Sequence, residues 1–131
     1  IISHVSIGTN DFERSVAFYD ELLASSGCHK LMNFPGAVAY GKQFPEFWVQ
    51  TPINGATATV GNGTHFCFFA NSCEQVDAFY AAALKLGARD DGEPGPRPEY
   101  SEAYYGCFVL DIDGHKIEAS YWDQSKAPLA E

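Results

Sequence analysis

Positive charge is scarce in this chain. Lysine and arginine total 8 of the 131 residues, aspartate and glutamate total 17, and 8 − 17 leaves a formal charge of −9. An acidic chain with no basic run is a poor partner for nucleic acid or an anionic membrane surface. An anionic substrate must be held here by local cations or a metal, against the overall field. Long apolar runs are missing too, since none approaches the ~18 residues that cross a bilayer. The amino end reads straight into a strand, without the charged region, apolar run and cleavage site of a signal peptide. It also lacks an initiator Met, so the chain is read as trimmed ahead of Ile1. The four cysteines, Cys28, Cys67, Cys73 and Cys107, form no CxxC pair. Free thiols of a cytoplasmic protein are expected from them rather than disulfides. No Gly-rich phosphate loop and no serine-nucleophile motif occurs.

What the chain does have is composition for a core, with 46% hydrophobic and 19% charged residues, and length for one domain. It also repeats itself. Adding 61 to a residue number carries His4 to His65, Asn10 to Asn71 and Glu13 to Glu74. The same step carries Ala17, Phe18 and Tyr19 to Ala78, Phe79 and Tyr80, and Leu23 to Leu84. A fixed period with identities at apolar, capping and histidine positions marks a duplicated supersecondary unit.

Each copy reads as strand, helix, then two or three strands. Residues 2–8 alternate as a half-buried strand. Asn10 or Asp11 caps a helix whose apolar stripe is Phe12, Val16, Tyr19 and Leu23, and Gly27 ends it. Residues 31–40 and 46–51 are expected strands, broken at Pro35-Gly36 and over residues 41–45. Residues 56–60 hold a short strand or simply link the copies. In the second copy, residues 64–70 form a strand and Asn71 caps the second helix. Residues 90–98 read as a Gly/Pro loop, and residues 104–111 and 116–122 as strands. Near the end the offset is 70, so the second copy carries about nine extra residues, placed in the loop at 90–98. His29 and His115 fall in turns and are expected to face solvent. The last nine residues, 123–131, are expected to form a loose tail.

Strand parity separates two faces. Val5, Ile7, Phe47, Val49, Phe66, Phe68, Ile117 and Ala119 suit packing beneath helices. His4, Ser6, Glu46, Trp48, Gln50, His65, Cys67, Glu118 and Ser120 share the other face. A mostly polar face on central strands needs water, a ligand or a metal to satisfy it. His4, His65 and Glu118 are its members with metal-ligand chemistry, and two imidazoles with one carboxylate suit a divalent transition ion. Glu46 is a candidate general base on the same face. Arg97, with Tyr100, Tyr104 and Tyr105 nearby, can close over an anionic or planar ligand, and Trp48 can wall the site by stacking.

Two motifs resemble a known family. The opening residues 4–11 with Ser15-Val16-Ala17-Phe18-Tyr19 are similar to the start of the vicinal oxygen chelate superfamily. That superfamily includes glyoxalase I, bleomycin and fosfomycin resistance proteins and extradiol dioxygenases. The run Asp111-Ile112-Asp113-Gly114-His115-Lys116-Ile117-Glu118 resembles its D-P-D-G-N-x-I-E signature. With the duplication, the similarity covers about residues 1–122. It implies an α+β fold of two tandem βαβββ modules, about 1–58 and 63–122, forming a curved mixed sheet that cups a cavity. It also implies one divalent metal (Zn, Fe, Mn, Ni or Co) held by His4, His65 and Glu118. Trp48 stands where a four-ligand glyoxalase I carries a second carboxylate, which argues against that enzyme. A cytoplasmic protein that binds a small molecule is expected, with Trp48, Arg97, Tyr100 and Tyr105 shaping the substrate site. A homodimer is expected because paired modules expose sheet edges and members of the family often share sites between chains. The reaction, whether lyase, isomerase, dioxygenase or transferase, stays open. So does the alternative of a metal-free drug-sequestering protein, whose acidic, aromatic cavity favours a cationic ligand.

Overall fold

The computed structural model describes residues 1–126, in the order β1(Val5–Gly8), α1(Phe12–Ala24), β2(His29–Phe34), β3(Ala37–Gly41), β4(Phe47–Gln50), β5(His65–Phe69), α2(Cys73–Lys85), β6(Arg89–Pro96), β7(Tyr104–Leu110) and β8(Lys116–Trp122). The strands form two four-stranded mixed sheets, ordered β1-β4-β3-β2 and β5-β8-β7-β6. The chain is therefore α+β with two tandem βαβββ modules. The described residues divide into two compact units, residues 1–64 with 112–115, and residues 65–111 with 116–126.

In the first unit, Asp11 caps α1 by accepting the Arg14 amide. Phe18, Tyr19, Leu22 and Leu23 are buried along one stripe of the helix. Ile7, Val38, Phe47 and Val49 supply the sheet side of that core. β1 and β4 pair in parallel, with Ser6 opposite Trp48. The alternation in β4 is clean: Phe47 and Val49 are buried while Trp48 and Gln50 are half-buried. Residues 56–60 form no strand; the Asn10 side chain ties this segment by accepting the Ala58 amide and donating to its carbonyl.

The turn joining β7 to β8 belongs to this first unit. Asp113 Oδ1 accepts the Asn10 amide at 3.0 Å, and His115 Nε2 lies 2.6 Å from the Gly8 carbonyl oxygen. Gly114 has φ +92°, a conformation that costs glycine little. The Asp-Gly motif thus works as a clasp on the β1–α1 corner. His115 is only 5% exposed, contrary to the solvent-facing turn position expected from sequence. Its aim at a carbonyl far away in the chain explains the difference. His29 begins β2 and is exposed.

In the second unit α2 buries Val76, Phe79 and Ala83. Its cap is Ser72, which accepts the Gln75 amide, rather than Asn71. Gln75 instead reaches back to accept the Asn71 amide at 2.6 Å. Serine and asparagine cap almost equally well, so local sequence does not choose between neighbours. A larger correction concerns residues 90–98. Most of them form strand β6, which pairs antiparallel with β7 through two register shifts. Its glycines and prolines read as a loop, yet an edge strand with bulges accepts both. Much of the extra length of the second copy lies beyond that strand, where residues 97–103 replace the short Pro35-Gly36 turn. All four cysteines are free thiols. Of the expected tail, residues 123–126 form a turn and the remainder lies outside the described residues. Among the described residues no helix is long and apolar enough to cross a membrane.

Candidate functional site

The site in the second unit grows from the parallel pairing of β5 with β8. Register sets Cys67 opposite Glu118 and Phe69 opposite Ser120. Alternation then sends His65, Cys67, Phe69, Glu118 and Ser120 to one face, away from α2. Ser6 and Trp48 are paired in β1 and β4 as Cys67 and Glu118 are in β5 and β8. Trp48 therefore stands at the repeat position that Glu118 occupies in the second copy.

Glu118 is the centre of this face. It is 7% exposed, and both carboxylate oxygens are engaged. Oε1 lies 3.1 Å from His65 Nε2, and Oε2 accepts the Tyr104 hydroxyl at 2.6 Å. A buried carboxylate needs such partners, because leaving one oxygen bare costs the full desolvation of that group. Charge-assisted bonds of this length are among the stronger ones. Tyr104 is on β7, next to β8, and its ring lies back across Gly106 to reach Glu118. A Cβ at Gly106 would strike the Tyr104 hydroxyl and the Ala119 carbonyl oxygen. Burial first, and then the Glu118 bond, raises the Tyr104 hydroxyl well above the usual tyrosine range.

Beside Glu118 is a cavity of about 230 Å³ lined by Cys67, Phe69, Glu118, Ser120 and Trp122. Ser120 Oγ accepts the Trp122 indole N–H at 3.0 Å and lies 3.0 Å from Cys67 Sγ. The Cys67 thiol is pushed up to about 12, chiefly by burial and further by the Glu118 charge, while the Ser120 bond pulls the other way. The residue has exposed surface, but its sulfur is packed among these groups. At neutral pH it is a thiol, not a nucleophilic thiolate.

The remaining sequence candidates are distributed as follows. Tyr100 is exposed and meets Tyr104 edge-on at 5.1 Å. Arg97 is folded onto its own strand, donating to the carbonyls of Glu93, Gly95 and Pro96. Tyr105 points the other way along β7 and donates to Asp77 of α2 at 2.7 Å. His4 immediately precedes β1, is exposed, and pairs through Nδ1 with Ser3 Oγ. Its ring meets Trp48 edge-on at 6.4 Å, and Phe34 is parallel to Trp48 at 6.4 Å. Glu46 precedes β4 with its side chain exposed. Phe69, Trp122 and the Glu118-binding role of Tyr104 were not read from sequence. The spacing of Tyr104 and Gly106 on one strand face is the signal that points to that last role.

The donor types His65 and Glu118 fit a divalent transition ion, and at 3.1 Å they are close enough to share one. They make a pair, however. Among the described residues no group of three or more His, Cys, Asp or Glu side chains comes together to hold a metal. Among the described residues the donor set is therefore two side chains.

Comparison with known proteins agrees with this architecture. A family model described as "Glyoxalase/Bleomycin resistance protein/Dioxygenase superfamily" matches residues 1–119. A glyoxalase/bleomycin resistance protein from Albidiferax ferrireducens T118 is 40% identical, with a TM-score of 0.83 over 91% of this chain and 96% of that one. A lactoylglutathione lyase from Agrobacterium tumefaciens shares the fold at 20% identity, with a TM-score of 0.64 over 92% of each chain. A glyoxalase-related enzyme from Fulvimarina pelagi does so at 18% identity and a TM-score of 0.72, over 92% of this chain and 86% of that one. No curated protein matches the sequence. With its two βαβββ modules and a family match over nearly its whole length, the chain belongs to the glyoxalase/bleomycin resistance protein/dioxygenase superfamily.

Proposed function

We propose that this chain is a metal-dependent enzyme acting on a small oxygenated substrate, with His65 and Glu118 as metal donors. The observation that carries the reading is the 3.1 Å approach of His65 Nε2 to Glu118 Oε1 on adjacent strands. His4, its counterpart in the duplication, is the proposed third donor. When bound, a divalent ion supplies Lewis-acid charge to two neighbouring oxygens of the substrate. The chain's own residues do the rest. Tyr104 holds Glu118 Oε2, Phe69 and Trp122 wall the cavity beside it, and the Ser120 hydroxyl lines the same cavity. The substrate's further contacts are assigned to Trp48, Arg97 and Tyr100, with Glu46 as a general base; Tyr105, bonded to Asp77 on the α2 side, is left out of the proposal. Whether the step is lyase, isomerase, dioxygenase or transferase chemistry follows from the substrate.

Elemental analysis of protein purified without chelator tests this. Close to one transition ion per chain is expected, lost in His65→Ala, Glu118→Ala and His4→Ala. Variants that keep the full metal content would remove the reading. Metal-free wild-type protein that still binds a cationic aromatic molecule, with Trp122 fluorescence quenched, would establish a second reading, a sequestering protein. The Phe69 and Trp122 walls beside the Glu118 carboxylate favour that alternative, because aromatic faces next to a negative charge suit a cationic aromatic molecule.

A homodimer is part of the same proposal. β2 is an edge strand carrying exposed Leu31, Met32 and Phe34, an edge that a second copy would cover. Sedimentation should give twice the chain mass, and a clean monomer would end this part.

A further inference from the structure

Glu118 has two oxygens of unequal surroundings. Oε2 receives a 2.6 Å hydrogen bond from a buried tyrosine, while Oε1 meets a half-exposed histidine at 3.1 Å. Tyr104 is 3% exposed and its ring is set edge-on against Trp122 at 5.2 Å and Tyr100 at 5.1 Å. The phenol crosses above Gly106, where any Cβ would collide with it. Glycine in a strand interior weakens that strand and needs a reason, which this crossing supplies.

We propose that Tyr104, given room by Gly106, is a positioning residue for Glu118. It occupies Oε2 and turns the carboxylate so that Oε1 alone is presented beside His65. A carboxylate so held offers a single oxygen to a ligand, and its rotation is frozen before anything binds. Partners of this kind fix donor orientation and alter metal affinity by about 10- to 100-fold when removed. The inference deepens the metal-enzyme reading and rests on it only for its effect on metal affinity. The hold on the carboxylate stands without a metal.

Two measurements on the whole chain separate the two claims. The first is a pair of crystal structures of metal-free wild type and Tyr104→Phe. The Glu118 carboxylate should keep one orientation in wild type and adopt another, or several, in the variant. An unchanged single orientation in Tyr104→Phe overturns the proposal, whatever the metal result. The second is titration with Co²⁺, followed by its visible absorption. Tyr104→Phe should weaken binding by about 10- to 100-fold and change the spectrum as a second carboxylate oxygen becomes available. Equal affinity and an identical spectrum would also overturn it. Absence of Co²⁺ binding in wild type would instead sink the metal-enzyme reading, leaving the crystallographic comparison to decide the positioning role.

Tyr40→Phe is the control for general loss of stability. It too removes a buried hydroxyl bonded to a carboxylate, Asp20 at 2.9 Å, but in the first unit. It should leave the Glu118 orientation and the Co²⁺ spectrum as in wild type. Changes in Tyr40→Phe equal to those in Tyr104→Phe would assign them to destabilisation and overturn the positioning role.

Discussion

Raising the pH from about 9 to about 12 should strip stability from this protein steeply, because two buried tyrosines resist ionisation in the folded chain. Tyr40 is 1% exposed and donates to Asp20 Oδ1 at 2.9 Å and to the Val16 carbonyl at 3.2 Å. Tyr104 is 3% exposed and donates to Glu118. In both, burial is the larger cause and the carboxylate bond the second, and both hydroxyls are raised above their ordinary value. The unfolded chain loses these protons near pH ~10, whereas the folded chain keeps them. Above that pH the folded state binds more protons, so stability falls as pH rises. The stabilisation is fully present below the unfolded value and is lost on the way up to the folded one. Each tyrosine contributes a slope of about 1.4 kcal/mol per pH unit, so the pair gives about 2.8. Urea unfolding across the window measures it, with tyrosinate absorbance as the reporter. Tyr40→Phe and Tyr104→Phe should each remove one tyrosine's share of the slope. A stability that stays level through the same window would show both hydroxyls to be accessible.

Phe79→Ala and Phe18→Ala should each cost about 3–5 kcal/mol, the range for emptying a buried aromatic site. The two are repeat partners, 61 residues apart. Phe79 is fully buried and packs 6.0 Å from Phe68; Phe18 is 2% exposed and meets Tyr19 edge-on at 4.9 Å. Against a total stability of about 5–15 kcal/mol, either change removes a large share. Each unit has its own helix-on-sheet core, so the two losses should add in the double variant. Chemical denaturation reads all three. A loss below about 1 kcal/mol in either single variant would mean that its helix is not docked on its sheet.

The sequence by itself determined the repeat and, through period 2 in β4 and part of the period-3.6 stripe in α1, which side of those elements is buried. Those are local regularities, and a chain obeys them wherever it folds. It also singled out His4, His65 and Glu118, because alternation fixes which side of a strand a residue takes. Tertiary structure alone decided that His65 and Glu118 meet at 3.1 Å and that Tyr104 reaches Glu118 across a missing Cβ. It decided equally that His115 is clasped to Gly8 and that a Gly/Pro-rich run becomes edge strand β6. Each of these depends on side-chain reach between strands or on pairing between residues far apart in the chain. Neither periodicity nor composition carries that information, because the partner's distance is set only once the sheet has formed.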